Sequence, residues 1–463
     1  MNLLIVTLIA IRILLIVYFN KYNDIDKANH DTYLKAALRP NKIIDKFIID
    51  LVLDYPTLVH RVSNKVGIVP IQILSEIVLS FTIYLYLKDV TEYGEYIFLL
   101  YLVSFPFFAD FLQFNARVIG LMCIVLMVPI ITMHDSYFLN ITASILLLFF
   151  TNHISKFSFQ SSLIFISLYF ILEGSFDKTF LIFSIFYGII ILNPSSARLF
   201  AAWYKHIFWS FNNQFEIYIR KGYFRKFGEK TESLNFKFWC RRILGRLRAM
   251  IDNNITLIYL LFLGPIFNAT FIFLIIFIIL SISPRLDRSI GEADRYLKYI
   301  FIFGISNLEQ THSESTISYG FSYLESNVFI PVFFSSALLW SIYRVWEFRN
   351  DISFRSHARK TLSYNLKNIT KPIAKGSKIL TLPLSNGNLL PSYRTSYPYS
   401  VEAAKFLSEI KLYPFLDITK DNMRYFEFVI ISKEINTDWV NHFIENNDLC
   451  TINENEEFIL CKN

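Results

Sequence analysis

The sequence predicts a mainly α-helical, polytopic membrane protein with a small α/β domain at its C-terminal end. Apolar residues make up 54% of the 463 residues and charged residues only 18%, whereas soluble domains usually carry about 25% charged residues. Apolar runs recur over positions 1–346, and they are long enough to cross a bilayer at ~1.5 Å per helical residue. Beyond these runs the chain becomes mixed in hydropathy, which is typical of a domain outside the membrane.

The apolar runs predict helices, because they lack the alternation of barrel strands and only helices or closed barrels satisfy every backbone group in lipid. The first run lacks a charged leading segment and a cleavage site, so we expect a retained helix rather than a signal peptide. Gly264-Pro265 divides one long run into two, and the tenth span is short enough to be re-entrant. Eleven spans are predicted near 2–19, 69–87, 96–113, 117–133, 137–151, 158–172, 179–193, 254–266, 269–283, 297–306 and 328–346.

Two polar regions interrupt the spans. The first, residues 20–68, is predicted as a loop and contains NDIDKANHDTYLKAA (Asn23–Ala37), with three carboxylates and one histidine. The second, residues 194–253, has 12 cations against three glutamates between Arg198 and Met250, with aromatic residues interleaved. This mixture favours a segment lying among lipid headgroups. Nucleic-acid binding uses the same residue types, but it is the poorer interpretation inside a polytopic chain.

The tail, residues 347–463, predicts a small α/β domain. SKILTLPL, YFEFVIIS and EEFILCKN are typical of strands, SVEAAKFLSEI is typical of a helix, and Asn386-Gly387 indicates a turn. The four cysteines have no metal-ligand spacing. Cys450 and Cys461 flank NENEE, a turn, and either a hairpin disulfide or two free thiols fits them equally well.

The acidic stretch after the first span suggests a catalytic carboxylate. Glycosyl transfer from a lipid-phosphate sugar needs a base for the acceptor hydroxyl and cations or a divalent metal for the departing phosphate. Asp31 is the candidate base. Asp24 and Asp26 form a D-x-D pair suited to Mg²⁺ or Mn²⁺. The alternative is a solvated segment that is acidic by chance.

Further polar residues lie at the ends of predicted spans, all on the side of the membrane that carries Asp31. Ionisable residues at such positions are functional candidates, although snorkelling to the interface explains single cations as well. The candidates for substrate binding are Asp110, Arg117, Lys156, His206, Glu292 and Arg295, together with His60 in the first connection.

Several stretches occur in an order that resembles a known family. After the acidic stretch come DYPTLVHRV (Asp54–Val62), NARVIGL (Asn115–Leu121) and NHISKFSFQ (Asn152–Gln160), followed by WYKHIFWSF and IGEADRYLKY (Ile290–Tyr299). This set, over roughly residues 1–300, resembles polytopic proteins of bacterial and archaeal polysaccharide loci within the GT-C glycosyltransferase superfamily. That superfamily includes the oligosaccharyltransferase catalytic subunit and the protein mannosyltransferases.

The resemblance implies a transferase that uses a polyprenyl-phosphate-linked sugar and a polysaccharide, glycolipid or protein acceptor. It implies an essential aspartate in the first extracytoplasmic loop, best matched by Asp31, with Asp24 and Asp26 remaining as alternatives. It also implies an extracytoplasmic C-terminal domain. The chain departs from the family pattern at Thr57, where a second proline is usual, and at His30, which precedes the aspartate instead of following it.

Two other functions remain open from the sequence, a polymerase of polysaccharide repeat units and a transporter or flippase of lipid-linked sugars. Transporters usually contain repeated broken helices, and the sequence has one Gly-Pro break, at Gly264-Pro265, without a matching partner. We expect the bacterial cytoplasmic membrane as the location, with the working face outside. The positive-inside rule favours the opposite orientation, since the connections on the other side are short and acidic.

Overall fold

The computed structural model describes a mainly helical protein with a small C-terminal sheet. It describes residues 2–22, 24–39, 43–44, 51–52, 57–90, 94–105, 137–173, 178–214, 329–382, 384–395, 423–435 and 437–463, and single positions at 112, 119–120, 122–123, 126, 236–237, 239–241, 243–245, 276 and 279–280. The chain divides into two compact units. The first comprises Met1–Asp26, Pro56–Ala197 and Cys240–Asp351, and the second Lys27–Tyr55, Arg198–Trp239 and Ile352–Asn463.

The first unit begins with helices at positions where the sequence predicts spans. Helix α1 (Asn2–Phe19) continues into a 3-10 turn (Asn20–Tyr22). Helices α4 (Ile68–Val90) and α5 (Gly94–Val103) are apolar and pack on α1 and on each other. A short amphipathic helix, α3 (Leu58–Val66), precedes α4 and ends at Gly67. The φ of Gly67 is +89°, which only glycine adopts without strain, so the chain turns sharply from α3 into α4.

Three further apolar helices of the first unit follow one another closely. These are α6 (Tyr137–Ile154), α7 (Lys156–Glu173) and α8 (Lys178–Leu192), and each packs on the other two. Only Ser155 separates α6 from α7. Only Asn193 separates α8 from α9 (Pro194–Gln214), which starts with proline, a residue suited to the first helical position.

Helix α10 (Phe329–Ile369) is 41 residues long. The sequence predicts a span at 328–346, and the structure begins the helix there but continues it far into the polar segment. No glycine or proline occurs between Pro331 and Pro372, so the backbone has no reason to stop at the change in hydropathy. The part of α10 up to Asp351 belongs to the first unit and the rest to the second.

The first connection is not an extended loop. Residues 24–38 form helix α2 (Asp24–Leu38), and a two-residue antiparallel ladder joins β1 (Ile43–Ile44) to β2 (Leu51–Val52). The interpretation of Asn23–Ala37 as a loop is therefore wrong for nearly all of its length. Polar composition identified a segment outside the apolar runs, but it did not exclude a helix.

The predicted C-terminal sheet is confirmed, and it lies in the second unit. Its five strands are β3 (Lys378–Leu382), β4 (Arg394–Thr395), β5 (Phe428–Ser432), β6 (Cys450–Glu454) and β7 (Phe458–Lys462), with helix α11 (Thr437–Asn446) between β5 and β6. The strand order is β4-β3-β5-β7-β6, in which β3 is parallel to β4 and β5 while β7 is antiparallel to β5 and β6. The predicted turn at Asn386-Gly387 lies within a 3-10 helix (Leu384–Leu389). The predicted helix SVEAAKFLSEI lies outside the described residues.

The end of α10 packs on this sheet. Leu366 and Ile369 of α10 join Ile379, Ile430 and Leu460 of the strands in one buried apolar cluster. Asn455, in the β6–β7 turn, holds the same junction by hydrogen bonds. Its Nδ2 donates to the Asn365 carbonyl oxygen at 3.1 Å, and its Oδ1 accepts from the Phe458 amide at 2.8 Å.

The two cysteines of this domain are free thiols, which decides between the two interpretations of the sequence. Cys450 pairs with Lys462 and Cys461 pairs with Thr451 across the β6–β7 ladder. Neighbouring residues of a strand point to opposite faces of the sheet. Cys461 is buried and Cys450 is exposed, and burial raises the pKa of the Cys461 thiol.

Two helices within the described part of the chain are long and apolar enough to cross a membrane, over Leu3–Tyr22 and Ile68–Asp89. Shorter apolar helices occupy Gly94–Val103 and Ile141–Ile154. The predicted spans at 117–133, 254–266, 269–283 and 297–306 lie wholly or mostly outside the described residues.

Candidate functional site

Three of the stretches quoted for the expected family resemblance lie close together in the first unit. Val59 of DYPTLVHRV, Ile154 of NHISKFSFQ and Cys123, two residues beyond NARVIGL, form one buried cluster, and Ile119 of NARVIGL packs against it. These stretches are separated by tens of residues in sequence. Their convergence brings α3 together with the C-terminal end of α6, and we call this region of the first unit the motif end.

Gly120 shows how closely these stretches approach. A Cβ atom on Gly120 would overlap the side chain of Ser158, in the first turn of α7. The glycine of NARVIGL is therefore required for contact with NHISKFSFQ. Arg117 is the predicted site residue of NARVIGL, whereas Gly120 makes the contact within the described residues.

Polar side chains are buried at this end, although apolar helices surround them. The junction between α6 and α7 contributes most of them, and Ser155 caps α7 by accepting a hydrogen bond from the Ser158 amide at 3.0 Å. The Nδ2 of Asn193, directly after α8, lies 3.2 Å from the Nε2 of His153. This contact brings the ends of α6 and α8 together. The buried polar residues are His60, Ser63, Thr151, Asn152, Ser155, Ser158, Gln160, Ser161, Ser162 and Ser196.

Asn152 is the strongest candidate for a ligand contact among these residues. Its exposed fraction is 3%, and neither its Oδ1 nor its Nδ2 has a hydrogen-bond partner among the residues that the structure describes. The hydroxyls of Ser162 and Ser196 are also buried and have no hydrogen-bond partner among the described residues. A buried polar group without a partner costs about 1–3 kcal/mol, so these groups favour a polar ligand or water at the motif end. None of the three was among the sequence-predicted site residues.

The aspartates and histidine of the acidic stretch lie on α2. Asp31 is exposed and His30 is buried. Burial lowers the pKa of His30, and the charge of Asp31 opposes that shift. Asp24 and Asp26 both occupy the first turn of α2. Positions two apart on an α-helix do not share a face, which weakens the D-x-D pair as joint ligands of one ion.

Among the described residues, no three His, Cys, Asp or Glu side chains are grouped as a metal site would require.

The remaining predicted site residues are placed only partly. His60 is buried in α3 and its backbone carbonyl accepts from the Ser63 hydroxyl at 3.0 Å. Lys156 is the first residue of α7 and His206 lies in α9, each placed by its backbone alone. Asp110, Arg117, Glu292 and Arg295 lie outside the described residues. Asp31 and His206 belong to the second unit, and His60 and Lys156 to the first.

A charged cluster inside the apolar helices was missed from the sequence. Arg12 of α1 and Glu76 of α4 are both buried, and Arg12 Nε lies 2.6 Å from Glu76 Oε1. Arg12 Nη1 also donates to the carbonyl oxygens of Tyr101 and Leu102 at 3.2 and 2.9 Å, in the last turn of α5. The Ser80 hydroxyl donates to Glu76 at 3.1 Å.

The signal for this cluster was present in the sequence. Arg12 is the one charged residue of the run 2–19, and Glu76 is the one charged residue of the run 69–87. Two opposite charges, each alone in an apolar run, predict one another as partners because an unpaired charge is costly in a membrane. Arg12 in addition satisfies carbonyls that a helix end leaves without partners.

Comparison with protein-family models and with curated proteins finds no match to this chain.

Proposed function

We propose that the chain is a polytopic membrane glycosyltransferase of the GT-C type, which moves a sugar from a polyprenyl-phosphate-linked donor to a cell-surface saccharide, glycolipid or protein. The observation that supports this most is the convergence of three family-like stretches at the motif end, around buried polar side chains. Such groups inside apolar helices suit a substrate with many hydroxyls, since each buried donor or acceptor then gains a partner.

The aromatic and cationic residues at the end of α1 support the proposed placement in a bilayer. Lys21 Nζ lies 3.9 Å from the ring centroid of Tyr18, and Arg349 Nε donates to the Tyr18 hydroxyl at 3.1 Å. The ring centroids of Phe19 and Phe348 lie 5.4 Å apart. Aromatic rings and cations are enriched where a membrane helix reaches the headgroups. These contacts therefore support the proposal that α1 and the first half of α10 reach the headgroups at this level.

In the proposed reaction, the Asp31 carboxylate takes the proton of the acceptor hydroxyl. The acceptor oxygen forms a bond to the anomeric carbon of the donor sugar from the face opposite the phosphate. The bond from that carbon to the phosphate oxygen breaks, and its electron pair leaves with the lipid phosphate. Arg117 and Arg295 are proposed to hold the donor phosphate and stabilise that departing charge. Lys156 and His206 are proposed to line the site, and His60, Asp110 and Glu292 to contact substrate. Asp24 and Asp26 remain alternative bases.

The exposure of Asp31 is consistent with this role, because a base must reach its substrate. Transfer is measured with purified, reconstituted protein and a panel of radiolabelled polyprenyl-phosphate monosaccharides, with and without EDTA. We expect Asp31→Asn to lower the rate by about 10²–10⁴-fold, the usual contribution of a positioned general base. Asp89→Asn, which removes another exposed aspartate at a helix end, is expected to retain full activity.

Equal rates for wild type and Asp31→Asn would remove Asp31 from the role of base, and the same comparison then passes to Asp24→Asn and Asp26→Asn. A wild-type protein that neither binds nor turns over any polyprenyl-phosphate sugar would contradict the transferase itself. Loss of activity in EDTA, restored by Mg²⁺ or Mn²⁺, would show that a divalent metal takes part.

A further inference from the structure

Helix α3 packs one face on the protein and exposes the other face on the protein surface. Val59, His60 and Ser63 are buried, and Val59 packs on Ile154 at the end of α6. The opposite face exposes Arg61, Lys65, Asn64 and the two valines Val62 and Val66. Arg61 and Lys65 are four residues apart, and so are Val62 and Val66. Each pair therefore stacks along one side of the helix.

The position of α3 places this exposed face beside the start of α4, an apolar helix. The Gly67 amide donates to the Ser63 carbonyl oxygen at 2.9 Å and closes α3. Ile68 then begins α4, which is long and apolar enough to cross a bilayer. Since α3 packs on Ile68 and on the end of α6, it lies beside the ends of two apolar helices, at the level where the hydrocarbon of a membrane would give way to headgroups.

The exposed residues suit that level in both charge and polarity. Val62 and Val66 are 43% and 55% exposed, which is unfavourable in water and favourable at the acyl boundary. The segment from Leu58 to Gly67 has two cations and no acidic residue. Basic amphipathic helices place their apolar residues among the upper acyl carbons and their cations on lipid phosphates.

We propose that the exposed face of α3 is a binding surface for anionic phospholipid headgroups, which Arg61 and Lys65 contact through the lipid phosphates while Val62 and Val66 enter the acyl boundary. The surface is separate from the proposed chemistry, because it needs neither Asp31 nor a sugar. It rests on the proposed membrane placement of α4. Its function is to select the lipid beside the motif end.

The test places a reporter on the same face. Asn64→Cys, in a background with the four native cysteines replaced by alanine, carries a bimane label, and the protein is reconstituted with brominated phosphatidylglycerol or brominated phosphatidylcholine. Bromine quenches only nearby fluorophores, so the ratio of quenching measures local lipid preference. We expect stronger quenching by the anionic lipid at low salt. We also expect that preference to weaken as salt screens the charges.

Removing the cations is expected to remove the preference. Arg61→Gln and Lys65→Gln should each lower it about fivefold, in line with the attraction of one basic side chain near an anionic surface, and Arg61→Glu with Lys65→Glu should reverse it. Lys88→Gln, at the far end of α4, is the matched control and should change nothing. If the substituted proteins do not fold, the salt dependence of the unsubstituted reporter protein decides the question.

Equal quenching by the two lipids in the reporter protein would overturn the proposal. So would a preference that inorganic phosphate abolishes at constant ionic strength, because the face would then bind phosphate as such and not a lipid surface. Transfer activity is measured in parallel. An inactive protein that keeps the lipid preference contradicts the transferase and leaves this surface in place.

Discussion

His30 and Asp31 are adjacent in the sequence but lie in different surroundings. Successive residues of a helix are about 100° apart, so α2 buries the imidazole and exposes the carboxylate. The sequence identifies both residue types and their spacing. It does not identify which one faces water, because that depends on what packs against the helix.

The burial of His30 predicts a pH dependence of stability. Its pKa is lowered from the ordinary 6.5, first by burial, with Asp31 opposing. The unfolded chain therefore binds a proton more readily than the folded one, and the free energy of unfolding falls as pH decreases from about 6.5 through the folded pKa. We expect a flat free energy of unfolding from pH 8 to about pH 6.5 and this slope below it, measured by urea unfolding of the detergent-solubilised protein.

His30→Gln tests the source of this slope. The variant should flatten the dependence below about pH 6.5, because it removes the group that titrates. His442→Gln, which replaces an exposed histidine of α11, serves as the control and should leave the slope as it is. An unchanged slope in His30→Gln would assign the acid sensitivity to other groups.

At the scale of elements, the ion pair between Arg12 and Glu76 fixes how three helices meet. Removing one member leaves the other as a buried charge without its partner, which typically costs about 3–5 kcal/mol. We expect Arg12→Leu and Glu76→Leu each to lower the free energy of unfolding by that amount, measured by steric trapping in detergent. The double variant removes both charges, so it should be more stable than either single variant.

The control for this cycle is a second ion pair in the first unit. Arg344 and Glu347 form a contact on α10 that is much more exposed, and exposed pairs contribute only ~0–1 kcal/mol. Neutralising Glu347, the more exposed member of this pair, should have little effect. Additive losses in the cycle of Arg12 and Glu76 would contradict direct coupling, since coupled neighbours deviate from additivity by about 0.5–3 kcal/mol.

The limits of sequence prediction are clearest at this scale. Apolar runs located α1, α4, α6, α7 and α8 closely, because a long run without charges has few alternatives to a helix. They gave no information on where a helix continues into polar sequence, which is why α2 and the second half of α10 were missed. In the tail, β-branched residues identified β5, whereas α11 and β6 carry mostly polar residues and gave no comparable signal.

At the scale of the whole molecule, some stretches quoted for the family resemblance proved to be close in space. The contact of Val59 with Ile154 and the packing of Gly120 on Ser158 join stretches that sequence analysis could only order along the chain. The residue types of these stretches, and their order along the chain, were visible in the sequence. Their distances depend on how apolar helices pack, and hydropathy alone does not encode that packing.

The transferase proposal and the charge distribution predict opposite orientations of the molecule in the membrane. Lipid-linked sugar donors of the proposed kind are used on the outer face, so Ala28→Cys should react with a membrane-impermeant maleimide in intact bacterial cells that express the chain. The native Cys450, exposed on β6, should react from the same side. Asp89→Cys, at the other end of α4, should react only after the cells are made permeable.

The positive-inside rule predicts the reverse pattern, because the cations concentrate in the connections on the Asp31 side, where positive charge usually stays in the cytoplasm. An enzyme that gathers lipid phosphates on its outer face has an opposing reason to keep cations there, and only labelling separates the two. Each reporter is read in a background without the other reactive cysteines. Labelling of Ala28→Cys from the cytoplasm alone would contradict the GT-C mechanism, while the lipid surface on α3 would then face the inner leaflet, whose anionic lipids it fits equally well.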